Sequence, residues 1–300
     1  MQAMFPSLTG KTALCVSLLL LGQLLTPQWS PVTWAQVRPP QEPGPIEQLL
    51  IYELNRARNN PGRFSRENNL PVDLSGVAPQ PPLAVNHHLV GSARFHAEEM
   101  AASNYFAHQS AVTGDWPNKM ARDSGYVLPS FYSNTANNIE ALAAGTSYFT
   151  ALDPLKGLLV DEGVNPPGHR IQLLAISTFA QTHREIGTGY ASNASATYTN
   201  YWAIQTAVSP GRNLFLTGVA YNDVNGNGRY DLGEGLGGVN VSNGVVTVQT
   251  NAAGGWSMPV IPGTYTVTAS GGDFIGAATA VATVTSNTEV DFIIPPASPG

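Results

Sequence analysis

The spacing of apolar residues changes once along this 300-residue chain, and that change decides what each part can fold into. Before Pro210-Gly211, apolar side chains recur at helical intervals; from Phe215 onward they fall in short runs separated by Gly-rich turns. A pattern with the helical period does not sit still as a strand, so the two parts need different architectures. The first part predicts helices packed on a small antiparallel sheet, an α+β fold. The second predicts a small all-β sandwich. The length suits about two domains, placed at 46–209 and 210–300.

In the first part, Ile46, Leu49, Leu50 and Leu54 predict a helix that Pro61-Gly62 closes. Residues 65–82 read as irregular. Residues 86–103 predict a helix with Leu89, Val90, Ala93, Ala97 and Met100 on its apolar face. Residues 109–136, rich in Gly, Pro, Ser and Asn, predict a long loop. Further helices are predicted over 139–144 and 154–161, with a short one after His169. Residues 185–191 and 201–208 predict a hairpin. In the second part, strands are predicted at 239–241, 245–249, 256–260, 264–269 and within 281–294.

Lys11, the apolar run 12–25 and Thr33-Trp-Ala35 read together as an export signal over residues 1–35, with an uncleaved N-terminal anchor as the alternative. Residues 36–45 (QVRPPQEPGP) predict an extended, mobile Pro-rich linker. The one cysteine, Cys15, lies in the apolar run, so the processed chain has no thiol and must rely on packing, calcium or both. No second apolar run is long enough to span a membrane, so no transmembrane segment is expected after processing. A secreted or cell-surface location follows. Net charge is −6 with a pI near 5.4, and no basic cluster occurs. Nucleic acid and anionic membrane surfaces are therefore not expected as partners.

The stretch DEGVNPPGHR (161–170) presents His169 from a rigid turn just after two acids. His108, Glu140, Asp161, Glu162 and His169 are the candidate catalytic groups. There is no G-x-S-x-G, no usable cysteine and no H-E-x-x-H. Two imidazoles with carboxylates can bind a divalent cation or do acid–base work through a water. Asp161 and Glu162 would point about 100° apart on a helix, so only one can face a site. His87 and His88 read as solvated, and His96 as structural; His183 fits no motif.

The ordered segments resemble the CAP superfamily, which includes the cysteine-rich secretory, antigen 5 and pathogenesis-related proteins. The carriers are Leu54-Asn-Arg-Ala-Arg58, Tyr105-Phe-Ala-His-Gln109, Asn138-Ile139, Gly168-His-Arg170 with Leu173-Leu174, Ile186-Gly-Thr-Gly189 and Tyr201-Trp-Ala-Ile-Gln205. The resemblance spans about residues 46–209. It implies an α-β-α sandwich with a cleft into which two His and two acids point. In several relatives that cleft holds a divalent metal such as Zn2+, which would place His108 and His169 as ligands facing one another. The family's first acid directly precedes Asn-Ile, where this chain has Asn137; Glu140, three residues on, either takes that role or leaves it unfilled. The second acid would be Asp161 or Glu162.

Asp223-Val-Asn-Gly-Asn-Gly-Arg-Tyr-Asp-Leu-Gly-Glu234 fills a calcium loop of the EF-hand type. Asp223, Asn225, Asn227, the Arg229 carbonyl, Asp231 and Glu234 occupy the ligand positions, and Gly228 the sharp turn. The flanks are not helical. They resemble calcium-stabilised B-type repeats of bacterial surface adhesins, and residues 250–267 resemble the carboxypeptidase regulatory-like β-sandwich. The expected function is an exported ligand- or partner-binding module acting on an extracellular lipid, peptide or glycan, held by a Ca2+-stabilised β-domain. A metal-dependent hydrolase and a surface or matrix component are the alternatives. For binding, the aromatic residues of the 109–136 loop (Trp116, Tyr126, Phe131, Tyr132) would supply the specificity.

Overall fold

A computed structural model describes residues 38–211 and 213–295. The segment expected to be an export signal, Cys15 within it, and the Pro-rich tail after Pro295 lie outside the described residues. The α+β class expected from the pattern is the class found.

The first part opens with helix α1 (Pro45–Asn59), whose first turn holds Pro45 and is closed by the Glu47 carboxylate accepting from the Gly44 N–H at 2.7 Å. Pro61-Gly62 ends α1 as expected, but it also starts a second helix, α2 (Pro61–Glu67), capped by the Asn60 side chain. Strand β1 (Ala84–Val85) leads into helix α3 (His87–Ser103), capped by Asn86. Helix α4 (Pro117–Asp123) follows inside the predicted loop. Its seven residues are too few to show a helical period.

Residues 140–145 correct the sequence reading. They form strand β2 (Glu140–Gly145), not a helix. The segment EALAAG is rich in good helix formers, but pairing with a buried neighbouring strand overrides that preference. Helices α5 (Leu152–Val160) and α6 (Gly168–Leu173) come next, then the hairpin β3 (Glu185–Ser192) and β4 (Asn200–Ala207). The sheet order is β1-β3-β4-β2, with β1 parallel to β3 and the rest antiparallel. β2 is thus an edge strand.

The strand period of two sorts the side chains by face. Ala141, Ala143, Ile186, Trp202 and Ile204 pack against α1, α5 and α6. Leu142, Tyr201 and Ala203 pack against α3. Helices therefore cover both faces of the sheet. On the α3 side, β3 presents glycines: a Cβ on Gly187 would lie 2.1 Å from the Leu89 carbonyl carbon, and one on Gly189 would lie 2.2 Å from the Arg94 nitrogen. The helix backbone rests directly on the strand there.

Two further expectations are corrected. Residues 38–44 are not a mobile linker. Arg38 is buried, its guanidinium 3.5 Å from the Phe95 ring centre and donating to the Met120 carbonyl. Arg94 holds Gln41, the Glu42 carbonyl and Glu47, so cationic anchors, not the prolines, set the segment's behaviour. The 109–136 segment is likewise pinned. Tyr126 and Tyr132 are core residues packed with Leu89, Ala121 and Ile139, and Tyr126 donates to Glu185 at 2.7 Å. Of its four aromatic residues only Phe131 is exposed.

The second part has strands β5 (Leu214–Asn222), β6 (Asn240–Ser242), β7 (Thr247–Gln249), β8 (Gly255–Val260), β9 (Gly263–Gly271), β10 (Phe274–Val284), β11 (Thr288–Glu289) and β12 (Phe292–Ile294). One sheet runs β10-β9-β6-β7. The other is built on β5, with β8 antiparallel to it and β11 and β12 parallel. Leu216, Val241, Trp256, Met258, Val267 and Val284 form the core between them. This part is not a loose appendage. Tyr52 of α1 packs edge-on against Tyr230 and Tyr221, at 5.5 Å and 6.5 Å between ring centres. The Asn287 side chain donates to the carbonyls of Pro82 and Arg184, at 3.0 and 2.7 Å.

Gly187→Ala is expected to destabilise the protein by about 1–3 kcal/mol, because α3 must shift to admit the methyl group. Gly168→Ala, where an added Cβ meets nothing within 4 Å, is expected to be near neutral. Urea unfolding of the two variants against the parent checks the difference.

Candidate functional site

The antiparallel register sets Glu140, at the start of β2, opposite Gln205 on β4. Both side chains face α3, and Gln205 Nε2 donates to Glu140 Oε2 at 3.0 Å. His96 of α3 reaches the same oxygen through Nδ1 at 2.8 Å. His108, beyond the end of α3, places its Nδ1 3.0 Å from the other carboxylate oxygen. Asn137 shapes the turn that leads into β2. Its Oδ1 accepts from the N–H groups of Ile139 and Glu140, and its amide nitrogen donates to the Glu140 carbonyl at 2.9 Å while lying 3.1 Å from His108 Nδ1.

Glu140 is only 1% exposed. Burial pushes its pKa up, but the charge of His96 and the hydrogen bonds from His108 and His96 outweigh that and hold it at about 2. The carboxylate is a buried anion kept charged by two imidazoles.

The stretch 161–170 builds a second pair. Asp161 ends α5 in the left-handed region, at φ 54°. That conformation returns its carboxylate toward the start of α6. Asp161 Oδ2 accepts from the His169 N–H at 2.9 Å, and Oδ1 lies 2.7 Å from His169 Nδ1. Arg170 donates to the carbonyls of Leu159 and Val160 at the end of α5. The rigid turn thus folds α6 back on α5 so that one acid fixes one imidazole. Asp161 does this; Glu162 is exposed and makes no hydrogen bond or ion pair.

A groove of about 600 Å³ opens beside this pair. Its walls include Leu70, Phe106, Leu142, Tyr148, Asp161 and His169. His108 is not in its lining, although Phe106, two residues away, is. The four predicted site residues are therefore brought together as two His–carboxylate pairs, and no hydrogen bond or ion pair among the described residues joins one pair to the other. Each pair leaves its solvent-side imidazole nitrogen, Nε2, without a protein partner. The two side chains are 34% and 29% exposed, enough for that nitrogen to meet a ligand.

In the candidate calcium loop, Asp223 and Glu234 are buried. Asp223 accepts from the N–H groups of Asn227 and Gly228, at 3.0 and 2.9 Å. Asp231 Oδ2 accepts from the Asn225 and Asn227 amides, and Glu234 from the N–H groups of Val224 and Asp231. The Arg229 side chain pairs with Glu67 of α2 at 2.8 Å. Among the described residues, no three His, Cys, Asp or Glu side chains converge as a set able to hold a metal, in this loop or in the groove.

Gln205 is the site residue that the sequence reading missed, whereas His96 is structural as expected: fully buried, it holds Glu140 in place. Both carried a signal. His96 lies on the apolar face of its helix, and Gln205 alternates with apolar residues in its strand; a buried polar group there needs a partner. His88 is also corrected, since its Nδ1 lies 2.6 Å from the Ser124 carbonyl and it is not simply solvated.

No family model and no curated protein matches the chain. Among solved structures, an outer surface protein from Borrelia burgdorferi is similar at 16% identity with a TM-score of 0.33, over 53% of this chain and 90% of that chain. At that score the likeness says nothing of this site. Among the described residues, no helix is long and apolar enough to cross a membrane.

Replacing the Glu140 carboxylate by an amide removes the charge and leaves one acceptor oxygen where His96, Gln205 and His108 now share two. Glu140→Gln is expected to cost about 3 kcal/mol at pH 5. The sign follows from the lowered pKa: the stabilisation is fully present above the ordinary value of 4.5 and is lost as pH falls toward about 2. Urea titrations from pH 5 to pH 2 should show parent and variant converging in acid.

Proposed function

We propose that this is an exported CAP-like ligand-binding protein whose groove receives an extracellular ligand, with the β-part as a calcium-stabilised support. The observation that carries the reading is the partly exposed His169 imidazole in the groove wall, held through Nδ1 by the buried Asp161 carboxylate, with His108 held in the same way by Glu140 outside the lining. Such clamping fixes ring orientation and leaves Nε2 for a ligand. Binding ranks above turnover because, among the described residues, no Ser, Thr or Cys side chain is hydrogen-bonded to either imidazole. Metal-dependent hydrolysis is the second reading, since carboxylate-oriented imidazoles are also the form in which His binds zinc; His108 and His169 would be the ligands. Calcium would be held by Asp223, Asn225, Asn227, the Arg229 carbonyl, Asp231 and Glu234.

Two measurements test this. Calcium is expected to raise the melting temperature of the purified protein, with no rise in Glu234→Ala, because an ion that binds only the folded chain stabilises it by mass action. Isothermal titration with zinc, on the parent and on His108→Ala/His169→Ala, separates the readings for the groove. Zinc uptake abolished by the double change, together with zinc-dependent peptide cleavage, would replace binding by hydrolysis.

A further inference from the structure

The free edge of β2 forms part of the groove, and its backbone is unpaired at residues that line it. Thr206 donates its N–H to the Ile139 carbonyl. With the register Glu140↔Gln205 and Ala141↔Ile204, this fixes the alternation of an antiparallel pair. Ala141 and Ala143 bond to β4. Glu140, Leu142 and Ala144 turn their N–H and C=O groups away from it. At Glu140 the Asn137 side chain meets both groups, accepting from the N–H and donating to the carbonyl. At Leu142 and Ala144 no described residue meets them. Leu142, Ala143 and Ala144 all line the groove, and Leu142 is only 5% exposed.

Buried backbone polar groups seek partners. Two residues of an edge strand offer donors and acceptors repeating over about 7 Å. An extended peptide backbone matches that repeat, whereas a lipid chain offers no such groups. The walls stand on either side, Phe106 on one and Tyr148 with α5 on the other, so a single strand fits better than the edge of a second sheet. The charges have a direction. Lys156 is in the lining and makes no ion pair among the described residues; it adjoins Gly157, which faces the Tyr148 ring that also lies over Gly145. Glu162, equally unpaired, follows the far end of α5. The start of β2 is at that far end, where Gln172 of α6 donates to the Ile139 carbonyl at 2.7 Å.

We propose that the groove binds a short extended peptide by adding it as a strand to β2, paired through Leu142 and Ala144 and running in the same direction as β2. Its amino end lies toward Glu162 and its carboxylate toward Lys156. His169 then stands beside the peptide's amino-terminal half. This rests on the ligand-binding reading above and names the ligand class.

The test is amide hydrogen exchange, read by NMR on the purified protein with a pool of randomised pentapeptides bearing free termini. The tightest member is then remade with methylated backbone nitrogens and with an amidated C-terminus. Exchange at the Leu142 and Ala144 amides is expected to slow at least tenfold, with Ala141 and Ala143 unchanged. Backbone methylation, amidation and Lys156→Glu should each weaken binding about tenfold or more. If a peptide binds without protecting Leu142 and Ala144, strand addition is wrong and groove binding stands. If no peptide binds but a lipid or glycan does, in a manner lost in His169→Ala, the ligand class is wrong. If nothing binds, both readings fail.

Discussion

One buried carboxylate organises the helical part. Glu140 is the point at which α3, the segment after it, the central strand β4 and the edge strand β2 meet, through His96, His108 and Gln205. A charge in that position is tolerable only if several donors surround it. The requirement reaches across residues 96 to 205, so the register of β2 and the depth of α3 on the sheet are tied to a single side chain. The glycines of β3 make the same arrangement possible from the other side, since α3 could not come close enough to place His96 if Gly187 or Gly189 carried a side chain.

The β-part holds this layer from below. Asn287 closes the two carbonyls of Pro82 and Arg184 at the β1–β3 end, Ser257 accepts from the Val85 N–H, and the Tyr52–Tyr221–Tyr230 cluster seals the far side of α1. The candidate calcium loop is part of that contact. Arg229 pairs with Glu67, which also takes Arg56 and Arg63. Order in the loop therefore bears on α1 and α2, and through α1 on the sheet beneath the groove.

Much of this was legible in the sequence, and the misreadings share a cause. The change of period at Pro210-Gly211 gave the architecture on each side, and the hairpin at β3–β4 was readable from alternation alone. The Pro-Pro-Gly turn was enough to single out His169. Segments whose structure is set by distant partners were not readable locally. Residues 38–44 look like a free linker until Arg38 and Arg94 find their sites, and residues 109–136 look like a surface loop until Tyr126 finds Glu185. His96 reads as structural and is so, but its acceptor, 44 residues away, cannot be named locally. Only a residue-by-residue demand that buried polar groups be satisfied would have exposed it.

The strand β2 shows the same conflict at its sharpest. Its sequence, EALAAG, carries little of the β-branched or aromatic surface that stabilises strands, and as a helix it would satisfy its own backbone. As a strand it satisfies that backbone on one side only. The pairing with β4 and the ligands of Glu140 outweigh the local preference, and the cost is an edge with two residues unpaired. Edge strands are commonly protected by charge, proline or a covering segment. Here Asn137 covers the first outward position and nothing described covers the next two. A protein that buries an acid to force a helix-prone segment into a sheet, caps one end of its edge and leaves the rest open inside a groove has the form of a site for another backbone.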